Sequence, residues 1–178
     1  TLRELGRDLE QTRMTFDTEA LNILIEKIGQ ARRITVITDA PAQPAAYNLV
    51  YFLEQGGFPI VIARAGAIDL ARAIHIATPQ DLHLAIDITG HSPFIANALA
   101  ESRQIGIPTA AIVSIASLPS ARYADVVLAA QARPNVISGS VIVGAIIAVL
   151  VETLRWRFAG RFTGAEQAIN QLYERLQL

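Results

Sequence analysis

Thr89, Gly90, His91 and Ser92 follow directly on an apolar run, Leu82 to Ile88, and precede Pro93 and a helical pattern that begins at Phe94. Ser92 suits an N-cap, and Pro93 suits the first helical position, where its missing N–H would be unpaired anyway. Backbone N–H groups and the positive end of a helix dipole then converge on the loop. The spacing therefore predicts an anion or hydroxyl site at Thr89, Gly90, His91 and Ser92; the plainer alternative is that Ser92 only caps its helix. Asp87 sits inside the apolar run. A buried carboxylate must be paired, protonated or used, so Asp87 is read either as a hydroxyl ligand or general base, or as a structural acceptor for loop N–H groups.

A second loop, Thr38-Asp39-Ala40-Pro41-Ala42-Gln43-Pro44, offers a hydroxyl, a carboxylate and an amide but no glycine. It matches neither the dinucleotide fingerprint nor the P-loop. Asp39 would repel a phosphate and could instead hydrogen-bond sugar hydroxyls, or it could simply start a turn. Ser138-Gly139-Ser140 could close over a ligand or permit close helix packing. Ser114, Ser117 and Ser120 surround another strand end, with Ser117 expected to cap a short helical turn. His75 and His83 carry no motif. No His-rich or carboxylate-rich spacing predicts a metal site, no cofactor motif is present, and no Ser-His-Asp arrangement points to a hydrolase.

These loops need strands and helices to hold them. Leu2, Leu5 and Leu9 mark a surface helix over 2–15, and Leu21, Leu24, Ile25 and Ile28 mark a second, capped by Asp17 or Thr18 and expected to stop at Gly29. Strands are predicted at 34–38, 59–63, 82–88, 109–114 and 125–129, and helices at 44–55, 68–76 and 93–104, with a helical turn at 117–123. A long helix is expected from Ser138 or Ser140 to Ala159, and a last one from the capping box Thr163-Gly164-Ala165-Glu166. Alternating strands and helices imply a five-stranded parallel sheet covered on both faces. Ligands of such sheets bind beyond the carboxyl ends of the strands, which selects the loops after Ile37, Ala63, Ile88, Val113 and Ala129.

Length and composition agree with a single domain over 1–178: the chain has 178 residues, 52% of them hydrophobic and 17% charged. So much apolar surface points to an oligomer interface. A net charge of −1 without basic clusters excludes a nucleic-acid-binding surface within this stretch. Cysteine is absent, which excludes disulfides and cysteine nucleophiles and fits a cytoplasmic location. The apolar stretch Val136 to Val151 is interrupted by Ser138, Gly139, Ser140 and Gly144, and reads as a core or interface helix and not a membrane span.

The chain resembles a sugar isomerase (SIS) domain, in particular the effector-binding domain of RpiR-type bacterial transcription regulators. The resemblance covers nearly the whole chain. It rests on the leading helix pair, on Ala31-Arg32-Arg33-Ile34-Thr35-Val36, on Asp87-Ile88-Thr89-Gly90-His91-Ser92, and on a helix ending near Ile105-Gly106-Ile107-Pro108. It continues through Ala111-Ile112-Val113-Ser114, Ser117-Leu118-Pro119 and Ala124-Asp125-Val126-Val127-Leu128. It implies a three-layer α-β-α sandwich of flavodoxin-like type, flanked by N- and C-terminal helices. In the family a loop of the form Ser-x-Ser-Gly-x-Ser/Thr holds a sugar phosphate; Asp87 stands at its first serine, Thr89 at its second, and Gly90 and Ser92 match. A first loop of the form Gly-x-Gly-x-Ser is replaced by Thr38, Ala40 and Ala42.

The resemblance implies a ligand-sensing domain for a sugar phosphate or related carbohydrate, acting as a homodimer or homotetramer. Contact with DNA would run through a helix-turn-helix module preceding Thr1, and none with a membrane is expected. The expected ligand contacts are Thr38, Asp39, Asp87, Thr89, Gly90, His91, Ser92 and Ser138. The alternatives are an aldose-ketose sugar-phosphate isomerase, with Asp87, His91 or Glu152 as base, and a dimerisation module without a ligand.

Overall fold

The computed structural model describes residues 1–63, 66–133 and 135–177. Two helices lead, α1 (Leu2–Thr15) and α2 (Thr18–Gln30). Strands and helices then alternate: β1 (Ile34–Thr38), α3 (Gln43–Gln55), β2 (Ile60–Ile62), α4 (Ala67–His75), β3 (Leu82–Asp87), α5 (Pro93–Gln104), β4 (Thr109–Val113), α6 (Pro119–Arg122) and β5 (Val126–Ala129). Two long helices close the chain, α7 (Val136–Arg157) and α8 (Ala159–Leu176). The five strands pair in parallel in the order β2-β1-β3-β4-β5. The predicted three-layer α/β sandwich is therefore the observed one. The order reverses between β1 and β3, and that switch point is where ligands of open parallel sheets bind.

Side-chain alternation divides the core by size. Ile34, Val36, Leu82, Leu84, Ile86 and Ile112 face α2, α3 and α7 in the larger core, with Leu24, Ile28, Leu49 and Leu53. The opposite face presents Ile37, Ala85, Ala111 and Val113 to Leu70, Ile95 and Leu99 of α4 and α5. Asp87 shares the period-two parity of Ala85, so it belongs to the second, tighter face.

α7 is long and apolar enough to cross a membrane by length and composition, with a mean hydropathy of 2.2 over its most apolar stretch. Here it is a core helix: Ile142, Val143, Ile146, Ile147, Leu150, Val151 and Leu154 are buried, all within the larger core. It starts earlier than expected because Asn135, and neither Ser138 nor Ser140, is the N-cap, its side chain accepting from the Ser138 N–H at 2.8 Å.

Three local expectations are corrected. Gly29 does not end α2, which continues to Gln30 and ends on Ala31; one glycine costs a helix only about 1 kcal/mol. Ser117 caps nothing, since α6 begins after Leu118. Thr163 lies inside α8, which starts at Ala159. Phe158 of the preceding turn packs on Phe58, and Phe162 is buried in the core, so tertiary contacts set the start of α8 and the capping box goes unused.

Candidate functional site

The loops after β1 and β3 meet at the switch point, joined by a hydrogen bond from the Thr89 hydroxyl to Asp39 Oδ2 at 2.9 Å. Asp39 Oδ1 accepts from the Ala42 N–H at 3.0 Å, closing the turn into α3. Thr38 donates to the carbonyls of Asp39 and Ile86, both at 3.2 Å, and so ties the end of β1 to β3. The His91 N–H donates to Thr89 Oγ1 at 3.2 Å.

Asp87 is almost wholly buried, 1% exposed, yet both of its oxygens are used. Oδ1 accepts from the Gly90 N–H at 2.8 Å, and Oδ2 accepts from the Ser120 hydroxyl at 2.7 Å. The first bond bends the loop back on the strand, which Gly90 permits with φ +66°. A Cβ there would also lie 2.9 Å from Leu118 Cδ2 and 3.2 Å from Pro119 Cδ, so glycine is required by space as well as by torsion. The second bond fastens α6 to the end of β3. Ser120 drew attention only as a hydroxyl near a strand end. Its pairing with Asp87 spans 33 residues and has no local sequence signal.

Ser92 is the N-cap residue of α5 by position, but its side chain makes no capping bond. Ser92 lines a cavity of about 210 Å³ together with Thr38, with Ile37, Leu70, Phe94 and Ile95 forming apolar walls. Ala63 and Gly66 border the same cavity, and Arg64 and Ala65 between them lie outside the described residues. Gly90 and His91 instead line a separate depression of about 450 Å³ shared with Asn97, Arg122 and Tyr123. The loop thus has two accessible sides of different chemistry.

Ser138 belongs to neither. It is buried at the start of α7, and its hydroxyl donates to Asp8 Oδ2, which also accepts from Arg133 Nε at 3.0 Å. The Ser138 hydroxyl holds the Asp8 carboxyl below its ordinary pKa, against the opposing effect of burial, and Arg133 adds to it. Thr12, one turn further along α1, accepts from the Gln131 N–H at 2.9 Å. Asp8 and Thr12 show four-residue spacing beside the Leu5 and Leu9 stripe, the one sequence feature that could have pointed to this latch. Gly139 brings α7 against the strand ends: a Cβ there would meet Ile88 Cγ2 at 2.7 Å and Ser114 Cβ at 3.2 Å. Ser114 itself donates to the Ile88 carbonyl at 2.7 Å.

Of the residues expected as possible bases, Asp87 is fully engaged and His91 is exposed. Glu152 is exposed on α7. It lies thirteen residues beyond Gly139, about 20 Å along the helix from the strand ends. Among the described residues no group of three His, Cys, Asp or Glu side chains is placed to hold a metal ion.

Solved structures share this architecture. The sugar isomerase domain of an RpiR transcription factor from Sphaerobacter thermophilus superposes with a TM-score of 0.86 at 24% identity, over 96% of this chain and 97% of that one. NanR of Vibrio vulnificus, solved with ManNAc-6P, gives 0.82 at 19% identity over 98% of this chain and 67% of its own. Among curated proteins, an uncharacterized HTH-type transcriptional regulator of Thermotoga maritima is 23% identical over 157 residues, 88% of this chain. N-acetylmuramic acid 6-phosphate etherase of Pseudothermotoga lettingae is 39% identical over 61 residues, 34% of this chain. The matched stretches span 56% of that regulator and 20% of the etherase. The model of the SIS domain matches residues 27–154, from the end of α2 to the last buried turn of α7, and on that match the chain belongs to the SIS domain family.

Proposed function

We propose that this domain is the effector-binding part of an RpiR-type transcription regulator and senses a small carbohydrate metabolite, a sugar phosphate or a relative of one, in the cytoplasm. The observation that carries the reading is the cavity at the switch point of the sheet, lined by Thr38 and Ser92 among apolar walls beside the linked loops of β1 and β3. The likeness to the RpiR sugar isomerase domain and to the HTH-type regulator supports it. Thr38, Asp39, Asp87, Thr89, Gly90, His91 and Ser92 are the proposed ligand and loop residues. Ser138 acts at one remove, through the latch that joins α1 to α7.

Sensing requires that the ligand bind two arrangements of the helices unequally. Asp87 offers a route, because one carboxylate holds both the Gly90 turn and α6. A helix-turn-helix module attached ahead of α1 would receive the change through the Asp8 contacts to Arg133 and Ser138. Self-association as a homodimer or homotetramer is part of the proposal, supported by an apolar groove of about 350 Å³ along α1 and α7, lined by Leu9, Phe16, Ile142, Ile146 and Val149.

The test is a thermal-shift panel of sugars, amino sugars, sugar acids, polyols and their phosphate esters. A ligand at 100 times its Kd adds about 2.7 kcal/mol of stability. A stabilising compound that also changes the affinity of the regulator for its DNA establishes sensing. Steady turnover of an aldose phosphate would replace this reading with the isomerase one.

A further inference from the structure

The last helix leaves the body of the domain with an uncovered apolar face. Its root is fixed. Phe162 is buried in the larger core, and the Arg161 guanidinium lies over the Phe58 ring at 3.9 Å from its centroid. Arg161 also donates to the carbonyls of Gly56 and Gly57, at 3.1 and 2.8 Å. Beyond Phe162 the body ends: from Thr163 to Gln177 every residue is exposed except Ala165, which is half-buried, while α8 continues to Leu176. That arm is about 21 Å long. An isolated helix of roughly 12–15 residues is marginal in water, so packing against a partner is what would keep the arm helical.

The spacing of the apolar residues says what kind of partner. Phe162, Ala165, Ile169, Leu172 and Leu176 recur at alternating steps of three and four, the seam of a helix that winds around another helix. Phe162, Glu166 and Ile169 line a groove of about 260 Å³ bordered by Gln55 of α3 and Arg155 of α7. With Ala165, these three form the four-residue hole that receives one knob of a facing helix. A matching knob stands at the other end of the seam, where Leu176 is 84% exposed. Hole and knob lie on one straight helix, so the contact cannot close within a copy, and it closes reciprocally between two. The charges agree: Arg161, Glu166, Glu174 and Arg175 make the helix neutral and self-complementary, and lack the basic face that suits a lipid surface.

We infer that α8 is a self-association arm: the arms of two copies of this chain pair antiparallel about a two-fold axis, Leu176 of each seated in the groove at the root of the other, and Ile169 of each against Leu172. Such pairing rests on the self-association proposed above and uses a face apart from the groove along α1 and α7.

Sedimentation equilibrium tests this on the whole chain. Wild type is expected to assemble. Ile169→Glu/Leu172→Glu, which leaves Phe158 and Phe162 in place, is expected to sediment at half the mass, or with a self-dissociation constant raised at least about tenfold, and to keep a cooperative urea transition. Ile169→Ser/Leu172→Ser serves if the glutamates disturb the helix. Unchanged mass and affinity in both variants leaves the groove along α1 and α7 as the contact between copies and overturns the arm. A wild type that stays monomeric at tens of micromolar overturns the arm and the self-association reading together. Because the chain has no cysteine, cross-linking reads the direction of pairing. When the Ile169→Cys and Leu172→Cys variants are mixed and oxidised, the disulfide between the two variants is expected in preference to one within either. The opposite preference means parallel arms and overturns the pairing as stated.

Discussion

Buried carboxylates stand at both ends of the sheet, and they are held in opposite ways: by cations through one oxygen at one end, where Asp81 Oδ1 is left without a partner, and by neutral donors at both oxygens at the other. At the amino ends of the strands, Asp81 is 1% exposed and meets Arg32 at 2.7 Å and Arg33 at 3.9 Å. The Thr78 N–H adds a third contact at 2.8 Å. At the carboxyl ends, Asp39 and Asp87 meet only neutral donors, backbone N–H groups and hydroxyls. One end sets its carboxylate against cations and the other against neutral donors alone. Burial raises the Asp81 pKa, yet Arg32, Thr78 and Arg33 together bring it below the ordinary carboxylate value. The difference separates a carboxylate held by ion pairs from two that hold loop turns together through neutral donors.

The largest expected effect lies at the amino end. His83 is fully buried, and its Nδ1 lies 2.7 Å from Ser102 Oγ, which donates to the Ala98 carbonyl at 2.6 Å. That network assigns the proton to Nδ1 and leaves Nε2 without a partner. Burial pushes the His83 pKa down to about 4, with nearby Asp81 opposing and Arg33 assisting. The unfolded chain, with an ordinary histidine near 6.5, therefore binds a proton that the folded one refuses. Stability is full above pH 6.5 and falls by on the order of 3 kcal/mol as pH drops toward 4. Urea denaturation across this window should show the slope in wild type and lose it in His83→Gln. An equal slope in both would remove His83 from the account.

Isosteric substitution sharpens the contrast between the ends. Asp81→Asn sets a neutral amide against Arg32 and should cost about 2–3 kcal/mol, below the full figure for a buried pair because Arg32 is half-exposed. Asp87→Asn keeps an acceptor for the Gly90 N–H and lets Ser120 reverse its hydroxyl, so it should cost less than about 1 kcal/mol. Equal losses at the two positions would abolish the distinction. Gly90→Ala tests the turn itself. The left-handed backbone and the contact with Leu118 together predict a loss of about 2 kcal/mol by chemical denaturation. The smallest effect is expected at Thr163→Ala, within about 0.5 kcal/mol, because Thr163 lies inside α8 and caps nothing.

Much of this was legible in one dimension. Leu82 to Ile88 announced a buried strand, Ser92-Pro93 announced the start of α5, and strand-helix alternation implied the parallel sheet. Where reading failed, a local rule met a stronger tertiary one. The Thr163 capping box lost to Phe158 and Phe162 anchoring the preceding turn in the core. Ser117 lost its cap role because α6 starts two residues later. The Ser138 latch was invisible because its partner, Asp8, is 130 residues away.

The sequence by itself determined the strand-helix alternation, the layers it implies and the set of strand-end loops. Hydrophobic period and turn residues act over a few positions, and these features need nothing longer in range. The strand order, and with it the switch point where the β1 and β3 loops meet, came from the tertiary structure. Only the tertiary structure decided what the loop donors do. Gly90 and Thr89 have the same identity whether their hydrogens face a ligand or a carboxylate of the chain. The choice falls to Asp39, fifty residues from Thr89, and to Ser120, which takes the second oxygen of Asp87. A hydrogen bond is satisfied by whatever acceptor the fold brings within 3 Å, and the fold brings carboxylates here.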